Sequence, residues 1–194
     1  MDAGSTVSEG ALAPPARACT AADERRIEQM VQLYFDVVWR SLRRLGVADG
    51  TIDDAAQQVF LVAARKLDTI DPGGERSYLL GIAVRVASDA RRTRSRRREV
   101  PDDDTTERVD PRPSPEELVD QKRARQVLDR VLLSMPMDLR AAFTMFEIEG
   151  MSVPEVASAM GVALGTAASR LRRAREHFHL QVRRLGLHHG GQRV

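Results

Sequence analysis

The sequence predicts an all-α protein in which two small helical domains are joined by a flexible acidic linker. Apolar residues recur with the helical period of 3.6 residues in both halves of the 194-residue chain. No segment shows the alternation of apolar and polar residues that marks a half-buried strand. Between the halves, residues 99–113 (EVPDDDTTERVDPRP) are acidic, interrupted by proline and without a core-forming pattern. We therefore expect a flexible arm over 1–26, helical domains over 27–98 and 118–182, a linker over 99–117 and a tail over 183–194.

The first half holds three predicted helices. The first runs from Ile27 to Gly46, with apolar residues at Ile27, Met30, Tyr34, Val37, Val38 and Leu45. Thr51 and Asp54 have the spacing of a capping box, which predicts a second helix whose buried side is Ala55, Val59, Phe60, Ala63 and Leu67. The turn signal Asp71-Pro72-Gly73-Gly74 precedes a third helix. That helix begins near Glu75, continues into RRTRSRRR and is expected to bury Leu79, Ile82, Ala83, Val86 and Ala90.

The second half holds four predicted helices. Ser114 is a predicted N-cap, followed by proline and two acids, and the helix after it has Leu118, Val127, Val131 and Leu132 on its apolar side. The next helix begins near Pro136, ends at Gly150 and is expected to bury Leu139, Ala142, Phe143 and Phe146. Ser152 and Glu155 form a predicted capping box for a short helix that Gly161 ends. A last helix extends from about Leu164 to near Leu185.

Composition and motifs exclude several classes of function. No apolar run approaches the 18 to 20 residues or so of a membrane span, and the N-terminus lacks the features of a secretory signal. We therefore expect a cytoplasmic protein that does not insert into a membrane. A single cysteine, Cys19, excludes a disulfide framework within the chain. P-loop, zincin and nucleophile-elbow motifs are absent, and His177 and His179 diverge on a helix, so we expect no catalysis, no metal and no cofactor.

The net charge of +2 conceals an uneven distribution. Residues 27–98 sum to +4, residues 99–120 to −7 and residues 121–194 to +6. Seven arginines lie between positions 85 and 98, a density that favours salt-sensitive binding to phosphates, although a solvated helix end would carry the same charge. Two basic helical blocks are therefore separated by an acidic stretch.

Residues 152–178 (SVPEVASAMGVALGTAASRLRRAREHF) have the spacing of a helix-turn-helix. Ala157 is small where the two helices approach, and Gly161 can adopt the left-handed conformation of the turn. On the second helix, one stripe is apolar (Ala167, Leu171, Ala174 and Phe178) and the opposite stripe is polar (Thr166, Ser169, Arg170 and Arg173). Short hydroxyls and arginines at the start of such a helix suit base edges and phosphates in a DNA major groove.

The order of these segments resembles the extracytoplasmic-function (ECF) sigma factors of bacterial RNA polymerase. TIDDAAQQVFLVAARKLDTID is similar to the family's region 2.2, with its D-x-x-Q-x-x-F pattern at Asp54, Gln57 and Phe60. ERSYLLGIAVRVASDARR is similar to regions 2.3 and 2.4, and LGTAASRLRRAR is similar to the recognition helix of region 4.2. Three departures stand out: Tyr78 replaces the usual tryptophan, Arg85 the usual asparagine, and Ala167-Ala168 the usual Val-Lys pair.

The resemblance implies a role for each segment. It implies core polymerase as a partner, with the second domain meeting the flap. Asp54, Gln57 and Phe60 would carry the contact with a coiled coil of the largest subunit, Phe60 partly by anchoring the helix. The loop Asp68–Ser77 would hold a base flipped from the minus-ten element, and the basic helix would follow the separated strand. The implied minus-ten residues are Asp71, Ser77, Tyr78, Arg85, Arg91, Arg92 and Arg94. The implied minus-thirty-five residues are Thr166, Ser169, Arg170, Arg172 and Arg173. An anti-sigma factor is the further implied partner.

Two other classes of protein share parts of this pattern. A stand-alone helix-turn-helix regulator would share the C-terminal motif, but it would need an effector pocket or a dimer helix in the first half. A scaffolding or anti-sigma-like helical protein would act through protein contacts alone, which leaves both arginine clusters unexplained. The acidic linker is compatible with two roles, either lying in the polymerase's RNA-exit path or covering the chain's own basic faces.

Overall fold

The computed structural model describes residues 20–97 and 115–185, and every regular element in these two ranges is helical. The seven α-helices are α1 (Ala21–Leu45), α2 (Ile52–Arg65), α3 (Glu75–Arg97), α4 (Pro115–Ser134), α5 (Met137–Phe143), α6 (Val153–Met160) and α7 (Leu164–Arg184). Short 3-10 turns at Asp49–Thr51 and Leu67–Thr69 lie on either side of α2, and a π-helical turn at Thr144–Ile148 extends α5. The structure confirms the all-α prediction. The predicted N-cap Ser114, Cys19 and most of the linker lie outside the described residues.

The first helix begins at Ala21, six residues before the predicted start at Ile27. A capping box at Thr20 and Asp23 begins α1: the Asp23 amide donates to the Thr20 hydroxyl, and the Thr20 amide donates to the Asp23 carboxylate. The prediction of a flexible arm is therefore wrong for residues 21–26, because this box satisfies amides that the start of a helix leaves unpaired. Residues 1–19 of the predicted arm lie outside the described residues. Gly46, with φ +91°, ends the helix as expected.

The predicted capping box at Thr51 is also wrong. The Thr51 hydroxyl donates to the Ala48 carbonyl at 3.1 Å and so closes the preceding 3-10 turn instead of capping α2. The helix still begins at the next residue, Ile52, and the predicted buried side of α2 is buried. The second predicted box, at Ser152 and Glu155, is confirmed, as is the left-handed Gly161 that ends α6.

A single buried hydrophobic cluster spans both halves of the chain. It is built mainly by α1, α2 and α3 and continues through Ala141, Met145 and Val156 to Ala167 on α7. The two halves pack tightly where α3 crosses α6, because a Cβ atom at Gly81 would lie 3.0 Å from the Ala159 carbonyl oxygen. A smaller cluster joins α4, α5 and α7 around Leu132.

Arg140 of α5 is the largest fully buried side chain, at 1% exposure. Its guanidinium donates to the carbonyl oxygens of Leu45 (3.0 Å), Leu133 (2.7 Å) and Met135 (3.0 Å). These carbonyls lie at or just beyond the ends of α1 and α4, where no further helical amide is available to them. Burial, and to a lesser extent the nearby Arg91, lowers the pKa of Arg140 to about 10, so the side chain remains charged at neutral pH. Arg140 therefore ties the two halves together.

Candidate nucleic-acid interface

A solvent-accessible cleft of about 350 Å³ lies between α2 and α3. The polar part of its wall consists of Gln58, Lys66, Tyr78, Arg85 and Asp89, and the apolar part consists of Val62, Ile82 and Val86. The volume is within the usual range of small-ligand sites. One aromatic ring beside two cations and an acid can stack on a planar group and hydrogen-bond to its edge. The structure thus brings together Tyr78 and Arg85, which the sequence predicted, with Gln58, Lys66 and Asp89, which it did not.

The loop before α3 is built around a tight turn. Pro72 occupies the second position and Gly73, with φ +85°, the third, and the Gly74 amide donates to the Asp71 carbonyl at 2.9 Å. This is the pattern of a type II turn, whose third position needs a positive φ and therefore favours glycine. Asp71 is exposed at the start of the turn, and Tyr78 lies half-buried four residues after Gly74. The turn fixes where α3 begins and hence where the cleft opens.

The arginines at the end of α3 differ in accessibility. Arg85 and Arg92 are exposed, although the Arg85 Nε donates to the Gly81 carbonyl and Arg92 lies 3.9 Å from Asp89. Arg91 is half-buried and donates to the Met137 sulfur of the second half at 3.5 Å. Arg94 lies within α3, but its side chain is outside the described set. Among the arginines from 85 to 92, whose side chains the structure describes, Arg85 and Arg92 carry the accessible charge.

The exposed side of α2 forms a second surface. Asp54 and Gln57 are exposed one turn apart, and Leu61, 45% exposed, continues the same stripe after another turn. Phe60 is buried, as the predicted apolar side of α2 requires, and stacks on Phe35 with ring centroids 6.2 Å apart. Its ring therefore packs beneath the exposed stripe and is not part of it. Sequence reasoning missed Leu61, which the i, i+3, i+7 spacing from Asp54 could have identified.

The helix-turn-helix of α6 and α7 presents a third surface. Ala167, Leu171 and Ala174 face inward as predicted, and Phe178 stacks on Phe143 with ring centroids 4.9 Å apart. Several polar side chains near the start of α7 are exposed: Thr166, Ser169, Arg172 and Arg173. Arg172 pairs with Glu176 at 2.7 Å along the helix. Arg170 departs from the predicted exposed stripe, because it is half-buried and lies 3.3 Å from Asp138 of α5.

Two carboxylates of the second half, Glu149 and Glu155, contact polar side chains of the first half. Glu149 has a side chain only 7% exposed and accepts hydrogen bonds from Arg44 (2.9 Å), Arg76 (2.8 Å) and Ser41 (3.2 Å). Glu155 accepts from Ser77 at 3.1 Å. Hydrogen bonds from the Ser152 side chain and backbone, and then from Ser77, hold the pKa of Glu155 below its ordinary value. Ser77 is therefore engaged by the second half in this structure.

Within residues 20–97 and 115–185, no helix combines the length and apolar content that a membrane crossing requires. Nor does this part of the chain bring together three or more His, Cys, Asp or Glu side chains that could hold a metal ion.

Comparisons with known proteins match both halves separately. Residues 30–97 match the family model described as Sigma-70 region 2, and residues 125–178 match the one described as Sigma-70, region 4. The ECF RNA polymerase sigma-E factor of Escherichia coli K12 is 32% identical over 172 residues, which cover 84% of this chain and 90% of that protein. The ECF RNA polymerase sigma factor SigE of Mycolicibacterium smegmatis is 32% identical over 154 residues, 78% of this chain but only 59% of the relative.

Two solved structures share the fold. One is the sigma factor RpoE in complex with the anti-sigma factor NepR from Bartonella quintana, with a TM-score of 0.63 and 22% identity over 82% of this chain and 98% of the other. The other is CnrH in complex with the cytosolic domain of CnrY, with a TM-score of 0.60 and 23% identity over 82% of this chain and 89% of the other.

Proposed function

The chain belongs to the ECF sigma factors of RNA polymerase, and we propose that it binds core polymerase and recognises the minus-ten and minus-thirty-five promoter elements through separate surfaces. The observation that carries this proposal is the cleft between α2 and α3, which joins Tyr78 and Arg85 in the half that matches region 2. The helix-turn-helix in the half that matches region 4 supplies the second DNA surface. Segments 27–98 and 118–182 are the proposed functional domains, with 99–117 as the linker.

The proposed polymerase surface is the exposed stripe of α2. Asp54 and Gln57 would meet the coiled coil of the largest subunit, Leu61 would add apolar contact, and Phe60 would hold the helix in place from beneath. A small apolar group with polar neighbours is a common composition for a protein interface. The second domain would contact the flap.

The proposed minus-ten site combines the cleft with the loop before α3. A base extruded from the duplex would stack on Tyr78, while Lys66 and Arg85 would hydrogen-bond to its edge or to the adjoining phosphate. Asp71 and Ser77 would border the base, and Arg91, Arg92 and Arg94 would follow the backbone of the separated strand. Because a captured base is no longer available for pairing, its binding would favour strand opening.

The proposed minus-thirty-five site is the start of α7. Thr166, Ser169 and Arg173 are exposed on one side of a helix whose opposite side is buried, and they would contact base edges if this helix lay in the major groove. Arg170 and Arg172 lie next to them in the helix and would contact phosphates. These phosphates would replace Asp138 and Glu176, with which the two arginines are paired in this structure.

Regulation by an anti-sigma factor is the remaining part of the proposal. Both structural neighbours are complexes of a sigma factor, or of CnrH, with another protein chain. We place the protein in the cytoplasm, with its polymerase and promoter, and assign it no reaction of its own: it would act by binding alone.

The test is transcription from a promoter library with purified core polymerase, followed by sequencing of the run-off transcripts. We expect start sites that depend on this protein and share two elements upstream. Core polymerase alone is the control. Start sites identical with and without the protein would refute the proposal.

A further inference from the structure

Arg26 lies at the centre of a hydrogen-bond network that joins α1 to the loop before α3. Its Nη1 donates to the Leu67 carbonyl at 3.3 Å, and its Nη2 donates to the Ile70 carbonyl at 2.7 Å and to the Glu75 Oε1 at 2.9 Å. The guanidinium is planar and presents its donors in a fixed fork, so three acceptors bound together fix the loop's distance and orientation.

The two carbonyls lie at the 3-10 turn that connects α2 to the loop before α3. Leu67 opens the 3-10 turn and Ile70 follows its end. The Leu67 carbonyl already accepts from the Ile70 amide at 3.2 Å and gains a second donor in the Arg26 Nη1, whereas the Ile70 carbonyl lies beyond the end of the turn. Both side chains are buried, at 6% and 3% exposure, so the carbonyls are held close to the core while the chain turns outward. Arg26 therefore gives each of these carbonyls a side-chain donor from a different helix.

Glu75 connects Arg26 to the tight turn at Gly73. Its Oε1 accepts from Arg26, and its Oε2 accepts from the Gly73 amide at 2.7 Å. Burial alone would raise the pKa of Glu75, but the hydrogen bonds from Arg26 and from the amides of Glu75 and Gly73 lower it below its ordinary value. The carboxylate is therefore charged at neutral pH. An unbroken chain of contacts runs from α1 through Arg26 and Glu75 to the glycine with positive φ.

We propose that Arg26 is a positioning residue for residues 67–75 (the minus-ten loop), which it holds in the base-binding shape before DNA arrives. This inference rests on the proposed function, in which the loop and the adjoining cleft capture an unpaired base. A loop that is already ordered loses less conformational entropy on binding, so binding is tighter without any added contact to the ligand. Arg26 itself makes none of the proposed DNA contacts.

The decisive variant is Arg26→Met, which keeps an unbranched apolar stem and removes the donors. Arg25→Met is the matched control, because Arg25 is the preceding residue of the same helix, has the same charge and is exposed. Arg26→Lys restores the charge but cannot span three acceptors at once. Glu75→Gln removes the charge at the second step of the network and keeps the side chain's shape.

The functional assay uses holoenzyme on a promoter that the wild-type holoenzyme has selected from a random library. Open complexes are measured by permanganate reactivity of unpaired thymines, and affinity for core polymerase is measured separately. We expect Arg26→Met to lower the equilibrium constant for open-complex formation about tenfold and Arg26→Lys to recover part of the loss. Arg25→Met should stay within about twofold of wild type, and core affinity should stay within about twofold for all variants.

The second readout needs neither polymerase nor DNA. Amide hydrogen exchange at Gly73 and Gly74 in the free protein should accelerate about tenfold in Arg26→Met and in Glu75→Gln, with amides of the α2 core unchanged. Unchanged exchange at these glycines would overturn the proposal, as would open-complex formation equal to wild type, or a loss shared by Arg25→Met. If wild-type holoenzyme opened no selected promoter, the proposed function itself would fail, and the exchange data would still decide whether Arg26 orders the loop.

Discussion

Arg140→Met tests whether one buried cation joins the two halves of the chain. Methionine retains the apolar stem of arginine and removes the donors that the guanidinium presents to Leu45, Leu133 and Met135. The variant therefore leaves three carbonyl oxygens without their present partner, in a position where the arginine side chain is only 1% exposed. A smaller residue would add a cavity and confuse the interpretation.

The size of the effect follows from the acceptors. A buried polar group that loses its hydrogen bond costs about 1–3 kcal/mol, and the variant is spared the desolvation of a guanidinium, which offsets part of the loss. Taking about 1 kcal/mol for each of the three carbonyls, we expect the free energy of unfolding to fall by about 3 kcal/mol. For a protein of this size, that corresponds to a decrease in Tm of about 6–12 °C.

Denaturant unfolding can follow both halves at once. The chain has one tryptophan, Trp39, which is buried in α1 and reports on the first half, while circular dichroism at 222 nm reports on all helices. Because the guanidinium bridges the ends of α1 and α4, both signals should shift to lower denaturant together. Arg130→Met, at an exposed position of α4, is the control and should change stability by less than about 0.5 kcal/mol. Equal stability of the Arg140 and Arg130 variants would refute this account of Arg140.

Three further predictions follow from the packing, the surfaces and the charges. Gly81→Val should destabilise the protein by about 1–3 kcal/mol, because its Cβ would lie 3.0 Å from a backbone oxygen of α6, whereas Gly50→Ala has open space and should be neutral in thermal denaturation. Arg173→Ala should weaken binding to minus-thirty-five duplex DNA and reduce its salt dependence while core affinity is kept, and Gln57→Ala should do the reverse; equal losses in both assays for either variant would contradict the assignment of surfaces. Hydrogen bonds from Ser152 and Ser77 hold the folded-state pKa of Glu155 below its ordinary value, so its stabilising contribution is present above that ordinary pKa and is lost as the pH falls through the folded value. Glu155→Gln should therefore flatten the acid side of the stability curve measured by denaturant unfolding, and an unchanged curve would show that this carboxylate is not coupled to folding.

The helices were predictable where burial follows a local period. Ala55, Val59 and Ala63 recur on one side of α2, and hydrophobic burial needs no information beyond that spacing. Local hydrogen bonds were harder to predict. The Thr51 hydroxyl, for example, can either accept from an amide at the start of α2 or donate to the Ala48 carbonyl. The hydroxyl closes the 3-10 turn instead of capping the helix, and a capping box at Thr20 extends α1 into a segment whose Ala- and Pro-rich composition had suggested an arm.

Contacts between segments that are distant in the sequence could not be predicted. Glu149 accepts from Arg44 and Arg76, which are 105 and 73 positions away in the sequence. The helical period shows that each of these residues lies on the polar side of its helix, but it does not show which residues they contact. The burial of Arg140 depends on carbonyls at the ends of two other helices, so nothing in its own neighbours marks it as buried. Only part of the cleft lining could be predicted. Tyr78 and Arg85 follow from their positions in the motif, whereas Lys66 lies beside them only because α2 packs on α3.

The carboxylates beside the arginines differ in how readily DNA could displace them. Arg170 and Asp138 are 27% and 44% exposed, and an ion pair this accessible is worth about 0–1 kcal/mol, so a phosphate can replace the aspartate at little cost. Glu149 is 7% exposed and accepts from both Arg44 and Arg76, so a ligand that drew Arg76 away would leave a buried carboxylate with one partner fewer. Arg170 therefore remains available to promoter DNA while it is paired. Arg76 is less readily released, because a ligand would have to separate it from a buried carboxylate, and only the folded structure shows this pairing, since the two residues lie 73 positions apart.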